Sequence, residues 1–183
     1  LDNIKTKIVT ELMNNKVVGF FQGRMEFGPR ALGSRSILFH AKDKSANDWL
    51  NKKLKRTEFM PFAPVTPLRL ANKCYEKWDK KNSCTPYMTQ TFKCKKDFIL
   101  EHPAVVHIDG TARPQVIDAK VNRIYYDVVN NYCNSTGNKA LINTSFNQHE
   151  EPIVCSPNDA IKSLLSKNVD VLAIGNYIVK RNE

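Results

Sequence analysis

The hydrophobic residues of the chain follow two spacings, and their alternation predicts a mixture of helices and strands. Helical spacing recurs in four segments, at 4–12, 44–55, 121–133 and 156–167. Apolar runs typical of strands lie at 16–23, 36–41, 87–93, 104–109, 139–146, 169–175 and 177–181. We therefore expect a mixed α/β (α+β) domain in which helices flank a twisted mixed sheet.

Local patterns add detail to this picture. Residues 60–68 contain three prolines, which predicts an irregular or edge strand because proline cannot donate to a sheet ladder. Ser156, Pro157 and Asp159 form the clearest helix start, with a capping side chain, a proline at the first helical position and an acid at the third. Polar residues follow predicted strands near 22, 109 and 143, and we expect them to line one crevice.

The composition is that of an ordinary globular domain, since 42% of the 183 residues are hydrophobic and 25% are charged. No apolar run reaches 18 residues, so no membrane span is predicted. Five cysteines without CxxC spacing and four scattered histidines predict no metal site and favour a reduced, cytoplasmic setting. The chain opens on leucine rather than methionine, which predicts that it is cut from a longer protein.

The formal net charge of +10 favours acidic partners, which include nucleic acid, anionic lipid and phosphorylated small molecules. Lysine-rich runs such as 51–56 contribute to this excess, and most such runs are simply solvated surfaces. An RNA-binding module is the least favoured of these readings, because aromatic residues are not interleaved with the basic runs as a stacking platform requires.

The most unusual stretch is FFQGRMEFGPRALGSRSI, residues 20–37, here called the Gly/Arg segment. It holds Arg24, Arg30 and Arg35 together with glycines spaced five residues apart, but it matches neither the P-loop nor the dinucleotide-binding pattern. Arginine forks grip phosphate or carboxylate oxygens in pairs, and glycine backbone exposes N–H groups to the same anion. The segment therefore predicts an anion site, although Glu26 pairing with one arginine is the simpler alternative.

Two further segments carry polar residues next to apolar stretches. HIDGTARPQ, residues 107–115, supplies Asp109, Thr111, Arg113 and Gln115. LINTSFN, residues 141–147, supplies Asn143, Thr144, Ser145 and Asn147. These side chains suit phosphate oxygens or a small amide, while capped turns are the structural alternative. Neither Ser36 nor Ser145 lies in a G-x-S-x-G motif, so a serine nucleophile is disfavoured.

Taken together, four segments resemble the C-terminal domain of the O-carbamoyltransferases of nodulation-factor and antibiotic biosynthesis. They are GRMEFGPRALGSRSI, FMPFAPV, PAVVHIDGTARPQ and LINTSFNQHEEPIVCSPNDAI, and the resemblance spreads over residues 16 to 180. It implies a YrdC/Sua5-like fold for residues 1–183 and a Kae1-like domain, absent from this chain, that holds the family's metal ion. It also implies a cytoplasmic enzyme with no membrane partner and leaves a homodimer open.

The resemblance implies a reaction in two parts. The YrdC-like domain takes carbamoyl phosphate and ATP, with Mg²⁺ on the nucleotide, and forms carbamoyl-adenylate with release of phosphate and pyrophosphate. The Kae1-like domain then passes the carbamoyl group to an acceptor hydroxyl. The residues that the resemblance implies for catalysis are Arg35, Arg113 and Ser145. Those that it implies for substrate and nucleotide binding are Arg24, Arg30, Ser36, Lys55, Arg56, Asn143, Thr144 and Asn147.

One segment departs from the family pattern. Many members read K-x-R-E-x-F-R-P-F-A-P where this chain reads LKRTEFMPFAP, so Met60 replaces a phosphate-binding arginine and Thr57 replaces a glutamate. Lys55 or Arg56 is expected to compensate for the missing charge. A supporting domain without activity of its own is the alternative that Met60 favours.

Overall fold

A computed structural model describes residues 2–56 and 61–182 of the chain. Its helices are α1 (Asp2–Met13), α2 (Ser45–Lys53), α3 (Ala71–Cys74), α4 (Lys96–Glu101), α5 (Arg123–Thr136) and α6 (Pro157–Leu165). Its strands are β1 (Val18–Phe21), β2 (Arg35–His40), β3 (Ala63–Pro67), β4 (Phe92–Lys93), β5 (Thr111–Ala112), β6 (Gln115–Ile117), β7 (Leu141–Ser145), β8 (Val171–Ile174) and β9 (Tyr177–Lys180). Short 3₁₀ turns occupy Leu68–Leu70, Thr85–Tyr87 and Pro103–Val105.

Seven of these strands form one sheet in the order β6-β3-β7-β2-β1-β8-β9, and β4 pairs with β5 in a separate two-stranded ribbon. The sheet is mixed, because β1–β8 and β3–β6 are parallel whereas the other neighbours are antiparallel. Helices α1 and α5 pack against each other and against the sheet, and α6 packs on β1 and β8. The predicted mixed α/β sheet with flanking helices is confirmed.

The register of the central strands brings distant parts of the sequence together. Ser36 of β2 stands opposite Ser145 of β7, and Ala63 of β3 stands opposite Asn143. The Gly/Arg segment connects β1 to β2, so its loop leaves the sheet beside the carboxyl end of β7. This arrangement places the polar end of β7 next to the loop that carries the arginines of the Gly/Arg segment.

Several predicted elements are confirmed by local chemistry. Helix α6 begins with the expected capping box, in which Ser156 Oγ accepts from the Asp159 backbone N–H and the Asp159 carboxylate accepts from the Ser156 N–H. The pair Tyr177–Lys180 and Val171–Ile174 forms the expected hairpin. Within the described ranges no helix is both long and apolar enough to cross a membrane.

Two predicted strands are wrong. Only Phe92–Lys93 of the segment 87–93 is a strand, and 104–109 contains a 3₁₀ turn at Pro103–Val105 instead. Prolines stand in the first turn of both 3₁₀ elements, Thr85–Tyr87 and Pro103–Val105, where the missing N–H costs nothing. The apolar residues of these segments lie in short turns and still reach the core. Hydrophobic periodicity alone does not distinguish such turns from a strand.

The proline-rich strand was also misplaced by the sequence pattern. β3 lies inside the sheet between β6 and β7, rather than at an edge. Its ladder to β6 runs from Val65 to Pro67, so Pro64 precedes that ladder and Pro67 ends it. Helices α3 and α4 and strand β6 had not been predicted, and β6 starts at Gln115 inside what looked like a polar turn.

Candidate anion-binding site

A cavity of about 210 Å³ opens beside the carboxyl end of β7 and is here called the arginine cavity. Its wall includes three arginines from separate segments, Arg30, Arg56 and Arg113. Its wall also includes the last three residues of β7, Asn143, Thr144 and Ser145. Six of the residues predicted for the site therefore meet in one place. Asp109, which was expected at the same crevice, lines a neighbouring groove instead.

Arg56 braces the loop that follows β7. Its Nη1 donates to Thr144 Oγ1 at 2.7 Å, and its Nη2 donates to Ser145 Oγ at 3.2 Å and to Asn147 Oδ1 at 3.2 Å. Burial lowers the pKa of Arg56 to about 10, so its guanidinium is still charged at neutral pH. All its hydrogen-bond acceptors among the described residues are neutral, so no carboxylate in this part of the chain compensates its positive charge.

Arg113 and Arg30 place two more positive charges at the same wall. Arg113 is partly buried, and burial is the main cause that lowers its pKa, followed by the positive charge of Arg30. No ion pair within the described part of the chain joins either arginine to a carboxylate. Arg113 is half-buried and Arg30 is exposed, and like charges that line one cavity favour an anion between them.

The simpler alternative for the Gly/Arg segment expects Glu26 to pair with one arginine. Burial lowers the pKa of Arg35 and the Glu26 charge partly offsets this, but among the described residues Glu26 forms no salt bridge with an arginine. Its Oε1 instead accepts from the backbone N–H groups of Leu32 at 2.7 Å and Ser34 at 2.6 Å, with a longer bond from Arg35 N at 3.3 Å. The Glu26 carboxylate therefore fixes the backbone path of the Gly/Arg segment through hydrogen bonds within that segment. Gly33 is needed in this loop because its φ is +111° and a Cβ there would meet Tyr125 at 2.3 Å.

Arg35 and Ser36 lie outside the cavity wall. The Arg35 guanidinium is buried over the ring of Phe21, 3.4 Å from its centroid, and donates to the carbonyls of Gln22 at 3.0 Å and Ser34 at 2.8 Å. Ser36 Oγ accepts from Gly33 N at 3.1 Å. Both side chains hold the Gly/Arg segment together, and their roles in catalysis and binding stay predictions.

The remaining predicted residues are more dispersed. Arg24 and Lys55 are exposed and do not line the arginine cavity, and Lys55 has a left-handed backbone with φ of +55°. Asn147 supports the wall indirectly, since its Oδ1 accepts from Ser145 Oγ at 2.6 Å. Thr57 and Met60, the departures from the family pattern, lie outside the described residues. In the ranges that the structure covers, no group of three or more His, Cys, Asp or Glu residues is placed to hold a metal ion.

Sequence reasoning missed Met88 in this region and named Gln115 without giving it a role. Met88 reaches the cavity from the turn after Thr85–Tyr87, and no sequence pattern pointed to it. Gln115 is buried at the start of β6 and connects the Gly/Arg segment, α5 and β7, as it bonds to Leu32 O, Tyr125 OH and Asn143 Nδ2. The signal for it in the sequence is a polar side chain between apolar stretches, which does not indicate these partners.

A larger groove of about 780 Å³ adjoins the arginine cavity, and Pro61 lines both. Apolar side chains of Ile99, Val106 and Ile108 form part of its wall, beside the polar His107 and Asp109. Asp109 is oriented by Thr111, whose N–H and hydroxyl both donate to its Oδ1. The groove thus offers an apolar surface with hydrogen-bonding groups at its edge.

Comparison with known sequences places most of the chain in one family. Residues 9–181 match the family described as carbamoyltransferase C-terminus. An uncharacterized protein of Methanocaldococcus jannaschii, MJ1051, is 41% identical over 170 residues, which are 93% of this chain and 32% of that protein. Nodulation protein NolO of Bradyrhizobium diazoefficiens is 37% identical over 181 residues, which are 98% of this chain and 33% of that protein. Nodulation protein NolNO of Sinorhizobium fredii is 36% identical, and 98% of this chain covers 26% of it.

The fold is shared with solved structures of HypF. A crystal structure of full-length HypF in its phosphate- and nucleotide-bound form matches 95% of this chain and 21% of that chain, with a TM-score of 0.60 and 19% identity. The T. kodakarensis HypF structure matches with a TM-score of 0.62 and 16% identity, over 93% of this chain and 20% of that chain. At these identities the likeness concerns the fold alone, and it confirms the predicted YrdC-like architecture.

Proposed function

This chain belongs to the carbamoyltransferase C-terminus family, and on that premise we propose that its arginine cavity binds carbamoyl phosphate for conversion with ATP into carbamoyl-adenylate. The resemblance seen in the sequence is confirmed by the family match over residues 9–181 and by nodulation-protein relatives. The observation that carries the proposal is the convergence of Arg30, Arg56 and Arg113 on one cavity without a carboxylate partner among the described residues.

The size of the cavity suits a small phosphorylated molecule. Its volume of about 210 Å³ lies below the roughly 300–1,000 Å³ of pockets that enclose drug-sized ligands. The phosphate group of carbamoyl phosphate carries only acceptor oxygens, and the planar forks of Arg113 and Arg30 present donors in the geometry that binds them in pairs. The side chains of β7 then face the carbamoyl end of the same molecule.

The proposed chemistry proceeds in two balanced steps. Water replaces phosphate on the carbamoyl group and yields carbamate and inorganic phosphate. A carbamate oxygen then attacks the α-phosphorus of ATP, forming carbamoyl-adenylate as the bond to pyrophosphate breaks. Negative charge accumulates on the phosphoryl oxygens in the second step, so positioning and neutralisation by arginine supply the catalysis.

Ser145 fits a positioning role better than a nucleophilic one. Its hydroxyl donates to Asn147 Oδ1 at 2.6 Å and accepts from Arg56, so its proton is directed to an amide rather than to a general base. A serine nucleophile requires a base that removes this proton. In this arrangement Ser145 holds the wall of the cavity, while Arg113 and Arg30 meet the charge of the substrate.

ATP requires more room than the arginine cavity provides. The adjoining groove of about 780 Å³ has the apolar wall that a purine base favours, and Pro61 connects it to the arginine cavity. We place the nucleoside in this groove, with its phosphates directed at the arginines. Mg²⁺ enters as the counterion of the ATP phosphates, since this ion usually binds through substrate phosphates and few protein carboxylates.

Transfer to the acceptor hydroxyl belongs in this proposal to a second, Kae1-like domain that holds the family's metal ion. The chain spans about a quarter to a third of the length of the curated relatives named above. Those relatives therefore have room for a further domain.

The experiment that tests this function measures pyrophosphate released from ATP by the protein that the complete gene encodes, with and without carbamoyl phosphate. We expect release that depends on carbamoyl phosphate and falls at least a hundredfold in Arg113→Ala. Arg123→Ala is the matched control, because Arg123 is an exposed arginine paired with Asp127 on α5. Equal release from Arg113→Ala and the control would reject the site, and no dependence on carbamoyl phosphate would favour a supporting domain.

A further inference from the structure

Both N–H donors of the Asn143 side-chain amide are hydrogen-bonded, whereas its oxygen has no donor among the described residues. Asn143 is 1% exposed and lines the arginine cavity. Its Nδ2 donates to Ala31 O at 3.0 Å and to Gln115 Oε1 at 2.8 Å, which accounts for both amide hydrogens. Its Oδ1 is buried and has no hydrogen-bond partner within residues 2–56 and 61–182.

The orientation of this amide is fixed by backbone carbonyls, which can only accept. If the Asn143 amide were turned over, its oxygen would face the carbonyl oxygen of Ala31. Gln115 is fixed in the same way, because its Nε2 donates to Leu32 O at 2.9 Å and its Oε1 must then face Asn143 and the Tyr125 hydroxyl. The two amides therefore form a hydrogen-bonded pair, here called the Gln115–Asn143 relay, in which Asn143 Nδ2 donates to Gln115 Oε1.

The carbonyl groups of Ala31 and Leu32, which orient the two amides, are themselves held in place. Ala31 and Leu32 are consecutive residues of the Gly/Arg segment, and the N–H of Leu32 donates to Glu26 at 2.7 Å. Tyr125, the other partner of Gln115, is fully buried, and burial raises the pKa of its hydroxyl well above the usual value. That hydroxyl consequently stays protonated and donates to Gln115 Oε1 at 3.1 Å.

A buried acceptor without a partner is rare in proteins, and a ligand that completes it is one established explanation. On the basis of the proposed function, we infer that Gln115 is a positioning residue that turns Asn143 Oδ1 toward the ligand, so that the arginine cavity selects an N–H donor beside a phosphate. Carbamoyl phosphate has an NH₂ group where acetyl phosphate has a methyl group of similar size. The arginines attract both molecules, and the Gln115–Asn143 relay distinguishes them.

The discriminating quantity is the ratio of the dissociation constants of acetyl phosphate and carbamoyl phosphate, measured by titration calorimetry. For the unaltered protein we expect carbamoyl phosphate to bind about tenfold more tightly, the value of one good hydrogen bond. In Gln115→Met the Asn143 amide loses one of the two acceptors that orient it, and the ratio should fall toward one. A merely structural role of Gln115 would weaken both ligands equally and leave the ratio unchanged.

Tyr125→Phe serves as the matched variant, since it removes a bond to Gln115 but leaves both Nδ2 bonds of Asn143 in place. This variant should keep the tenfold ratio. Should Gln115→Met fail to fold, the unaltered protein still decides the matter, because equal affinity for the two ligands overturns the inference. Equal affinity leaves the proposed function standing, whereas binding of neither ligand overturns both.

Discussion

Arg56 donates to both the carbonyl and the hydroxyl of Ser145, at 3.0 Å and 3.2 Å, although the two residues are 89 positions apart in sequence. The contact joins the segment that follows α2 to the end of β7 and closes one side of the arginine cavity. A half-buried arginine whose acceptors in the described part of the chain are all neutral keeps its charge available to an anion. The same residue thus links the stability of the loop after β7 to the charge of the site.

Replacing Arg56 by alanine should therefore affect both stability and binding. The substitution leaves Thr144 and Ser145 without their donor, which should lower the free energy of unfolding by about 2 kcal/mol and abolish the rise in melting temperature caused by carbamoyl phosphate. Denaturant unfolding and thermal melting with the ligand measure the two effects. Arg56→Lys is the informative companion, because it keeps the charge but lacks the fork that reaches both residues. Full stability and binding in Arg56→Lys would contradict the bracing role.

Arg113→Ala should separate function from stability. Arg113 has no hydrogen bond or ion pair within the described residues, and its pKa is lowered by burial and then by the like charge of Arg30. Its removal relieves repulsion, so we expect the melting temperature without ligand to stay unchanged or to rise. Stabilisation by millimolar carbamoyl phosphate should be lost, since ligand binding raises stability only through the folded state's affinity. A destabilised protein that still binds the ligand would contradict this assignment.

Glu26→Gln tests whether one carboxylate organises the Gly/Arg segment. The ionised carboxylate accepts strongly from Leu32 and Ser34, and a neutral amide accepts less well. We expect a loss of about 1 kcal/mol in the free energy of unfolding and faster hydrogen exchange at the amides of Leu32 and Ser34. Glu26→Ala should show larger changes in both. Unaltered exchange at these two amides in Glu26→Ala would show that the loop keeps its course without Glu26.

The burial of His102 predicts that the folded protein loses stability in acid. This histidine is fully buried, its Nε2 accepts from Lys139 N at 3.1 Å, and burial lowers its pKa to about 4. The unfolded chain binds a proton at this residue near pH 6.5 and the folded chain does not, so stability should decline as the pH falls below 6.5 and level off below 4. The loss should reach about 3 kcal/mol at pH 4. Urea unfolding at pH 7, 5 and 4 measures it, and His102→Gln should remove this component. A difference between the two proteins that is independent of pH would contradict the assignment.

The sequence predicted those features that depend on local chemistry. The capping box at Ser156 and Asp159 and the strands at the centre of the sheet follow from neighbouring residues and apolar runs, and both are present. The strand predicted over 87–93 is wrong for most of its length. Phe92 is buried as part of a short two-stranded ribbon, and Met88 is buried at a left-handed turn. Such burial depends on residues far away in the sequence, which a local pattern does not contain.

The site shows the same division between local and distant information. The family resemblance implies catalytic roles for Arg35 and Arg113 alike, yet Arg35 donates to carbonyls of its own loop whereas Arg113 lines the cavity. That difference is set by the path of the backbone around Glu26, not by the arginines themselves. The role of Gln115 was not predicted for the same reason, because it lies in bonds to Leu32, Tyr125 and Asn143, which three separate parts of the chain supply.

Exchange of labelled pyrophosphate into ATP tests the central claim most directly, because it detects reversible formation of an adenylate at this domain. The assay uses the protein encoded by the complete gene, with Mg²⁺ and ATP. We predict that label enters ATP only when carbamoyl phosphate is present, and that Arg113→Ala abolishes this exchange while Arg123→Ala does not. Exchange that is absent with carbamoyl phosphate, or that persists undiminished in Arg113→Ala, would contradict the proposal that this cavity forms carbamoyl-adenylate.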